Sequence, residues 1–204
     1  MPRTRVKICG ITQVADAQAA CDLQADFIGL NFYAQSPRCV SLERAAEIRA
    51  AIGSRAVVAG VFVKPEREFV TRMLRELKLD MLQIHGDDCG ELLEGWPVPL
   101  IRPVSLRPGQ AAADLLPARG GFVLIDSYDP RLYGGTGRAI ALEDLRKLDL
   151  RRCFVAGGLT PATVKAVAAL RPYAVDVASG VESAPGIKDH VKMRSFIENA
   201  KSAG

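Results

Sequence analysis

Eight short apolar runs, each ending on a glycine or on a side chain capable of chemistry, constrain this 204-residue chain more than any other feature. They are Arg5–Cys9, Phe27–Phe32, Ala56–Val63, Met81–His85, Leu100–Val104, Phe122–Asp126, Phe154–Ala156 and Val175–Ala178. Most are continuously apolar rather than alternating, as expected for strands buried on both faces and hence for a parallel sheet. Between them recur helix-spaced apolar positions: Val14, Ala17 and Cys21; Ala45, Ile48 and Ile52; Val70, Leu74 and Leu77; Val164, Val167 and Ala168; Met193, Phe196, Ile197 and Ala200. Strand and helix alternate in the order of a (β/α)8 barrel, read as a single domain over residues 1–204 whose strand C-termini share one mouth. An open doubly wound sheet shows the same alternation. It would carry Gly-x-Gly-x-x-Gly after the first strand, where this chain has Cys9-Gly10-Ile11-Thr12.

Thr12 and Ser41 stand where N-caps are expected, and Thr160-Pro161 reads as an N-cap followed by proline at the first helical position. The segments after the fourth, fifth and sixth strands, Cys89–Leu93, Ala111–Leu116 and Leu142–Leu148, predict only short or irregular helices.

Composition narrows the function classes. Hydrophobic residues make up 49% of the chain, enough for one core, and charged residues 25%, with a net charge of +4. Basic residues are scattered, densest at Arg151-Arg152 and from Lys188 to Lys192, so no nucleic-acid-binding stripe forms, although an anionic small molecule is favoured. The five cysteines, at 9, 21, 39, 89 and 153, are odd in number, lack a Cys-x-x-Cys pair and follow no signal-like apolar segment. A reducing cytoplasm is the expected location. No apolar run approaches the roughly 18 residues of a membrane helix, and the two histidines give no zinc-type spacing. Neither a membrane nor a metal or other cofactor is expected.

Three glycine-rich loops fall in the last third: Gly134-Gly135-Thr136-Gly137, Ala156-Gly157-Gly158-Leu159 and Ala178-Ser179-Gly180-Val181. Each could be an ordinary turn. Two of them follow strands 7 and 8, where barrels bind phosphate, and a helix N-terminus is expected after Gly180. Gly135, Thr136, Gly137, Gly157, Gly158, Ala178, Ser179 and Gly180 are therefore candidate phosphate-binding residues.

Cys9 and Asp126 end strands 1 and 6, nearly opposite each other across an eight-strand barrel. A cysteine is usually a small core hydrophobe, but this one sits at the mouth. A base and an acid on opposite sides of one sugar could move protons between adjacent atoms, the chemistry of isomerisation or epimerisation. Arg38, in the loop after strand 2, could grip a carboxylate in two-pronged fashion, or form a surface salt bridge. His85 reads more readily as a hydrogen-bonded wall residue than as a second base.

The motifs Lys7-Ile8-Cys9-Gly10-Ile11-Thr12, Ser36-Pro37-Arg38, Gly60-Val61-Phe62-Val63, Leu82-Gln83-Ile84-His85-Gly86, Gly134-Gly135-Thr136-Gly137, Ala156-Gly157-Gly158-Leu159 and Val175-Asp176-Val177-Ala178-Ser179-Gly180-Val181-Glu182 run in this order from the first strand towards the last helix. Together with Pro185-Gly186-Ile187-Lys188-Asp189 they resemble the phosphoribosylanthranilate isomerase family of tryptophan biosynthesis. Ala178 stands where that family usually has a second serine. The resemblance implies a cofactor-free Amadori rearrangement of N-(5-phosphoribosyl)anthranilate, in a monomer or homodimer. It implies Cys9 as general base, Asp126 as general acid and Arg38 on the anthranilate carboxylate, with the glycine loops on the phosphate. On this reading Cys9 should be partly thiolate near neutrality. Two other readings are weighed against it. A histidine-pathway aldose-ketose isomerase on the same barrel would use an aspartate base, and a silent phosphometabolite-binding barrel would need no acid-base pair.

Overall fold

The computed structural model describes residues 3–86, 90–105, 121–126 and 142–203. Eight parallel strands close into a barrel in chain order: β1 (Arg5–Cys9), β2 (Phe27–Asn31), β3 (Val57–Val63), β4 (Met81–His85), β5 (Leu100–Ser105), β6 (Phe122–Asp126), β7 (Cys153–Val155) and β8 (Ala174–Val177). The last strand returns to the first, with Arg5 opposite Ala174, Lys7 opposite Asp176 and Ile8 opposite Val177. The barrel expected from the apolar runs is the one observed, and strand ends agree to within a residue or two.

Alternation along each strand divides the core in two. One set of side chains, including Val6, Ile8, Ile28, Val58, Leu82, Val123, Val155 and Val175, faces outward and packs under the helices. The other set, including Phe27, Ala59, Met81, Ile101, Leu124 and Phe154, fills the barrel interior. At the N-terminal end of the strands Phe27, Phe122, Phe154 and Tyr173 meet edge-on or tilted, with centroids 4.3 to 6.1 Å apart. The Arg5 guanidinium lies 4.4 Å over the Tyr173 ring. At the other end the inward positions become polar: Cys9, Asn31, Gln83, His85, Asp126 and Asp176.

The helices follow the apolar spacing seen in sequence. In α1 (Val14–Asp22) Ala17, Ala20 and Cys21 are buried, in α2 (Leu42–Ile52) Ala45, Ile48 and Ile52, and in α3 (Arg67–Leu77) Val70, Met73 and Leu77, while the expected Val14 and Leu74 are only partly buried. The short α4 (Leu142–Arg146) and α5 (Val164–Ala168) precede α6 (His190–Lys201), which buries Met193, Phe196, Ile197 and Ala200. Among the described residues after β4 there is a 3-10 turn, Gly90–Leu93. The expected segment Ala111–Leu116 lies outside the described residues. Among the described residues no helix is long and apolar enough to cross a membrane.

Three local expectations are corrected. Ser41 does cap α2, its side chain accepting from Arg44 N–H, but Thr12 does not cap α1. The Thr12 hydroxyl instead donates to the Gly186 carbonyl at 2.6 Å, tying the β1 loop to the far end of the chain. Thr160-Pro161 opens a hydrogen-bonded turn, and regular helix begins only at Val164. The helix expected after Gly180 is a single 3-10 turn, Ser179–Val181, followed by a hairpin of β9 (Glu182–Ala184) and β10 (Ile187–Lys188). The α-helical N-terminus comes later, capped by Asp189, whose carboxylate accepts from Val191 and Lys192 N–H.

The 3-10 turn packs so closely on the loop after β7 that a Cβ on Gly180 would lie 1.9 Å from the Leu159 carbonyl oxygen. Gly180→Ala must displace backbone, and urea denaturation should show a loss of about 2 kcal/mol. Ser41→Ala, which removes a cap but no packing, should cost about 1 kcal/mol by the same measurement.

Candidate active site

The polar end of the barrel opens into a cavity of about 180 Å³. Cys9 from β1 and Asp126 from β6 line it, three strands apart in the closed order. Arg38, His85 and Asp176 contribute further walls, and Gly157, Gly158, Ala178, Ser179 and Gly180 form the side after β7 and β8. Every candidate site residue among the described positions therefore lines the same space. Gly135, Thr136 and Gly137 lie outside the described residues.

Cys9 fits because its neighbour on β2 is Gly29, where a Cβ would sit 2.8 Å from the Cys9 sulfur. Gly10 plays a similar part next door. Its φ of +70 suits glycine, and a Cβ there would approach Arg38 Cδ to 2.5 Å. The stem of Arg38 thus lies directly over the Cys9-Gly10 peptide.

Burial pushes the Cys9 thiol above its ordinary range, and Asp176 adds to this, while Lys7 and Lys188 pull the other way. Burial thus works against the partly ionised Cys9 expected near neutrality, and the Lys7 and Lys188 charges work for it. Burial and the nearby Lys7 charge lower His85 to about 4, so its imidazole is neutral at ordinary pH. A 2.8 Å hydrogen bond joins His85 Nε2 to Gln83 Nε2, which places His85 as a wall residue. Gln83 Oε1 is buried without a hydrogen-bond partner among the described residues.

The loop after β2 organises Arg38. Asn31 accepts from Tyr33 N–H at 2.8 Å and donates to Ser36 Oγ, which accepts from Arg38 N–H at 3.1 Å. Arg38 Nε and Nη2 then donate to the two carboxylate oxygens of Glu182 at 2.8 and 2.7 Å. Glu182 Oε1 also accepts from Lys188 Nζ at 2.8 Å, and the same ammonium donates to the Cys9 and Ala178 carbonyls at 2.7 and 3.2 Å. Burial raises the Glu182 carboxyl, but the hydrogen bonds and charges of Arg38 and Lys188 outweigh this and hold it below the usual carboxylate range. One carboxylate thus ties the β2 loop, the ends of β1 and β8, and the hairpin. Two nitrogens of Arg38 are committed to Glu182, and among the described residues its third, Nη1, makes no hydrogen bond.

At the glycine-rich side, Gly157 and Gly158 have φ of +84 and +63, left-handed conformations that turn the chain sharply after β7. Arg151 and Arg152 lie far from this end. Arg151 pairs with Asp149, and Arg152 donates to the Gly121 carbonyl, both at the start of β7.

Sequence reasoning singled out Cys9, Asp126, Arg38 and the glycine loops but passed over Lys7, Asp176, Gln83, Glu182 and Lys188. A signal existed for two of them. Lys7 and Asp176 are charges set inside otherwise apolar strand runs, two residues before mouth positions.

A family model described as N-(5'-phosphoribosyl)anthranilate (PRA) isomerase matches residues 6–199. An N-(5'-phosphoribosyl)anthranilate isomerase from Pseudomonas fluorescens is 43% identical over 201 residues, covering 97% of this chain and 98% of its own. The crystal structure of phosphoribosyl anthranilate isomerase from Thermus thermophilus superposes with a TM-score of 0.87 at 36% identity, covering 98% of this chain and all of that one. A phosphoribosyl anthranilate isomerase solved in complex with reduced 1-(o-carboxyphenylamino)-1-deoxyribulose 5-phosphate gives 0.78 at 33% identity, with 98% and 99% coverage. The chain belongs to the N-(5'-phosphoribosyl)anthranilate isomerase family, the isomerases that act in tryptophan biosynthesis.

Proposed function

We propose that Cys9 and Asp126 are the base and acid of this isomerisation, with Arg38 and the glycine loops holding the two ends of the substrate. One observation carries the assignment: Cys9 and Asp126 face a single cavity from β1 and β6, with the loops after β7 and β8 on a third side. Protonated Asp126 donates to the furanose ring oxygen as the C1'–O bond breaks, and the anthranilate nitrogen lone pair forms the C1'=N bond of a Schiff base. The Cys9 thiolate then takes the C2' proton. The C2'–H electron pair becomes the C1'=C2' bond while the C1'=N π pair returns to nitrogen, giving an enolamine that tautomerises to the ketone. Orientation by the two grips supplies proximity, and proton transfer supplies the rest.

Arg38 is preset for the carboxylate by Glu182, which fixes the plane of the guanidinium. The phosphate is assigned to backbone N–H groups of Gly157, Gly158, Ser179 and Gly180 beside Ala178, with Gly135, Thr136 and Gly137 from the loop after β6. The reading takes the whole chain as one catalytic domain, working as a monomer or homodimer. A relative from Thermotoga maritima is described as a dimeric enzyme from which monomers were generated. It also places the protein in the cytoplasm, supported by the free thiols of Cys9, Cys21, Cys39 and Cys153.

Loss of substrate fluorescence gives the decisive measurements. Cys9→Ala and Asp126→Asn should each lower kcat by roughly 10²- to 10⁴-fold with little change in KM, because each acts on a proton in flight. Near-normal kcat in either variant would remove that residue from the mechanism. The competent form needs an ionised Cys9 and a protonated Asp126, so kcat/KM should pass through a maximum; a profile that only rises or only falls between about pH 5 and 10 would contradict the pair.

Arg38→Met should act mainly on KM, and a substrate analogue with a carboxamide in place of the carboxylate should be handled about equally by variant and wild type. Inorganic phosphate should inhibit competitively, and Gly158→Val should weaken that inhibition. Unchanged inhibition by phosphate would place the anion elsewhere.

A further inference from the structure

The strand that ends on Cys9 carries a second ionisable side chain on the same face. Lys7 lies two residues earlier on β1, so alternation turns both residues into the barrel, with Lys7 one layer deeper. Lys7 has 0% exposure. Its Nζ donates to Asp176 Oδ1 at 3.0 Å across the β1–β8 seam, where the two residues are register partners. An ammonium and a carboxylate withdrawn from water each carry a desolvation penalty of several kcal/mol, and apolar residues of similar volume would fill the layer equally well. The pair therefore asks for a purpose other than stability, and its setting supplies one.

Asp176, beside Lys7, and Cys9, two residues further along the same face, line the same cavity. The charged and titratable groups at this end of the barrel come from several elements. Lys7 belongs to β1, Asp176 to β8, Arg38 to the loop after β2, and Glu182 and Lys188 to the hairpin; neutral His85 on β4 and Asp126 on β6 complete the ring. Arg38 and Lys188 are both bound to Glu182. Asp176 Oδ1 takes one of the three N–H donors of Lys7, and the sulfur is the next polar atom up the same strand.

We propose that Lys7, anchored by Asp176, is a positioning residue for Cys9: its buried ammonium orients the sulfur towards the cavity and offsets the charge of the thiolate. This rests on the assignment of Cys9 as the base. While Cys9 is a thiol, Lys7 and Asp176 form a neutral pair. When the thiol releases its proton to water at the mouth, one cation bridges two anions. Burial opposes that ionisation most strongly; among the surrounding charges Lys7 has the largest effect and favours it, ahead of the opposing Asp176.

The test reads the sulfur without substrate. In the full-length protein, the rate at which iodoacetamide modifies the Cys9 peptide is followed against pH by mass spectrometry, with exposed Cys39 as an internal control. Lys7→Met combined with Asp176→Asn removes both charges at similar volume and leaves no unpaired ion in the barrel. Loss of the Asp176 charge alone makes Cys9 easier to ionise, whereas loss of Lys7 makes it harder, so the sign decides. Cys9 in the double variant should be modified at least about threefold more slowly than wild type at pH 7.5, with its curve displaced to higher pH. Modification as fast as wild type, or faster, would overturn the proposal and leave the pair as a register pin between strands. If the double variant does not fold, Lys7→Gln, whose amide can still donate to Asp176, carries the same expected slowing and the same overturning result. Either overturning result leaves Cys9 as the base, because that role stands or falls on the kcat of Cys9→Ala.

Discussion

Closure of the barrel depends on the seam where β8 meets β1, and across that seam a fully buried ammonium meets a carboxylate at 3.0 Å. A slip of one residue in either strand would send its own charge, Lys7 or Asp176, into the apolar layer beneath the helices, and its flanking Val6 and Ile8, or Val175 and Val177, into the barrel interior. The pair makes such a slip prohibitive, because each partner would become an uncompensated charge. The same register decides which residues reach the mouth. Cys9 stands over Lys7 because alternation permits nothing else once that seam is set.

Above the seam the site is held by charge rather than by apolar packing. Glu182 collects Arg38 and Lys188, and Lys188 in turn holds the carbonyls at the ends of β1 and β8. Residues distant in sequence are thereby fixed to one carboxylate. Its backbone is supported from outside the mouth as well, since Asp16 of α1 accepts from Lys188 N–H at 2.9 Å and Thr12 bonds the hairpin turn. This explains how a short hairpin with two residues in its second strand can hold a fixed position.

The eight runs were legible because both faces of a barrel strand are buried, which yields continuous apolar stretches with polar tips. The same continuity concealed the inward and outward parity, so Lys7 and Asp176 were passed over although their phase with Cys9 and Ala178 marks them as interior. Arg38 was singled out as a carboxylate grip or a salt-bridge arginine, but its pairing with Glu182 spans 144 residues and has no local trace. Thr12 and Thr160 misled for a common reason. A threonine hydroxyl serves a helix end, a loop carbonyl or a neighbouring hydroxyl equally well, and only tertiary contacts decide among them. The thiol was expected to be acidic from its chemistry, whereas its depth in the barrel sets the opposite direction.

The aromatic rings at the start of β2, β6 and β7, with Tyr173 and the Arg5 guanidinium across them, leave the barrel stoppered at one end. The chamber is consequently a blind alley. Among the described residues that end offers no second way in, so departing product and arriving substrate would share the mouth. Traffic through this protein is therefore sequential by construction.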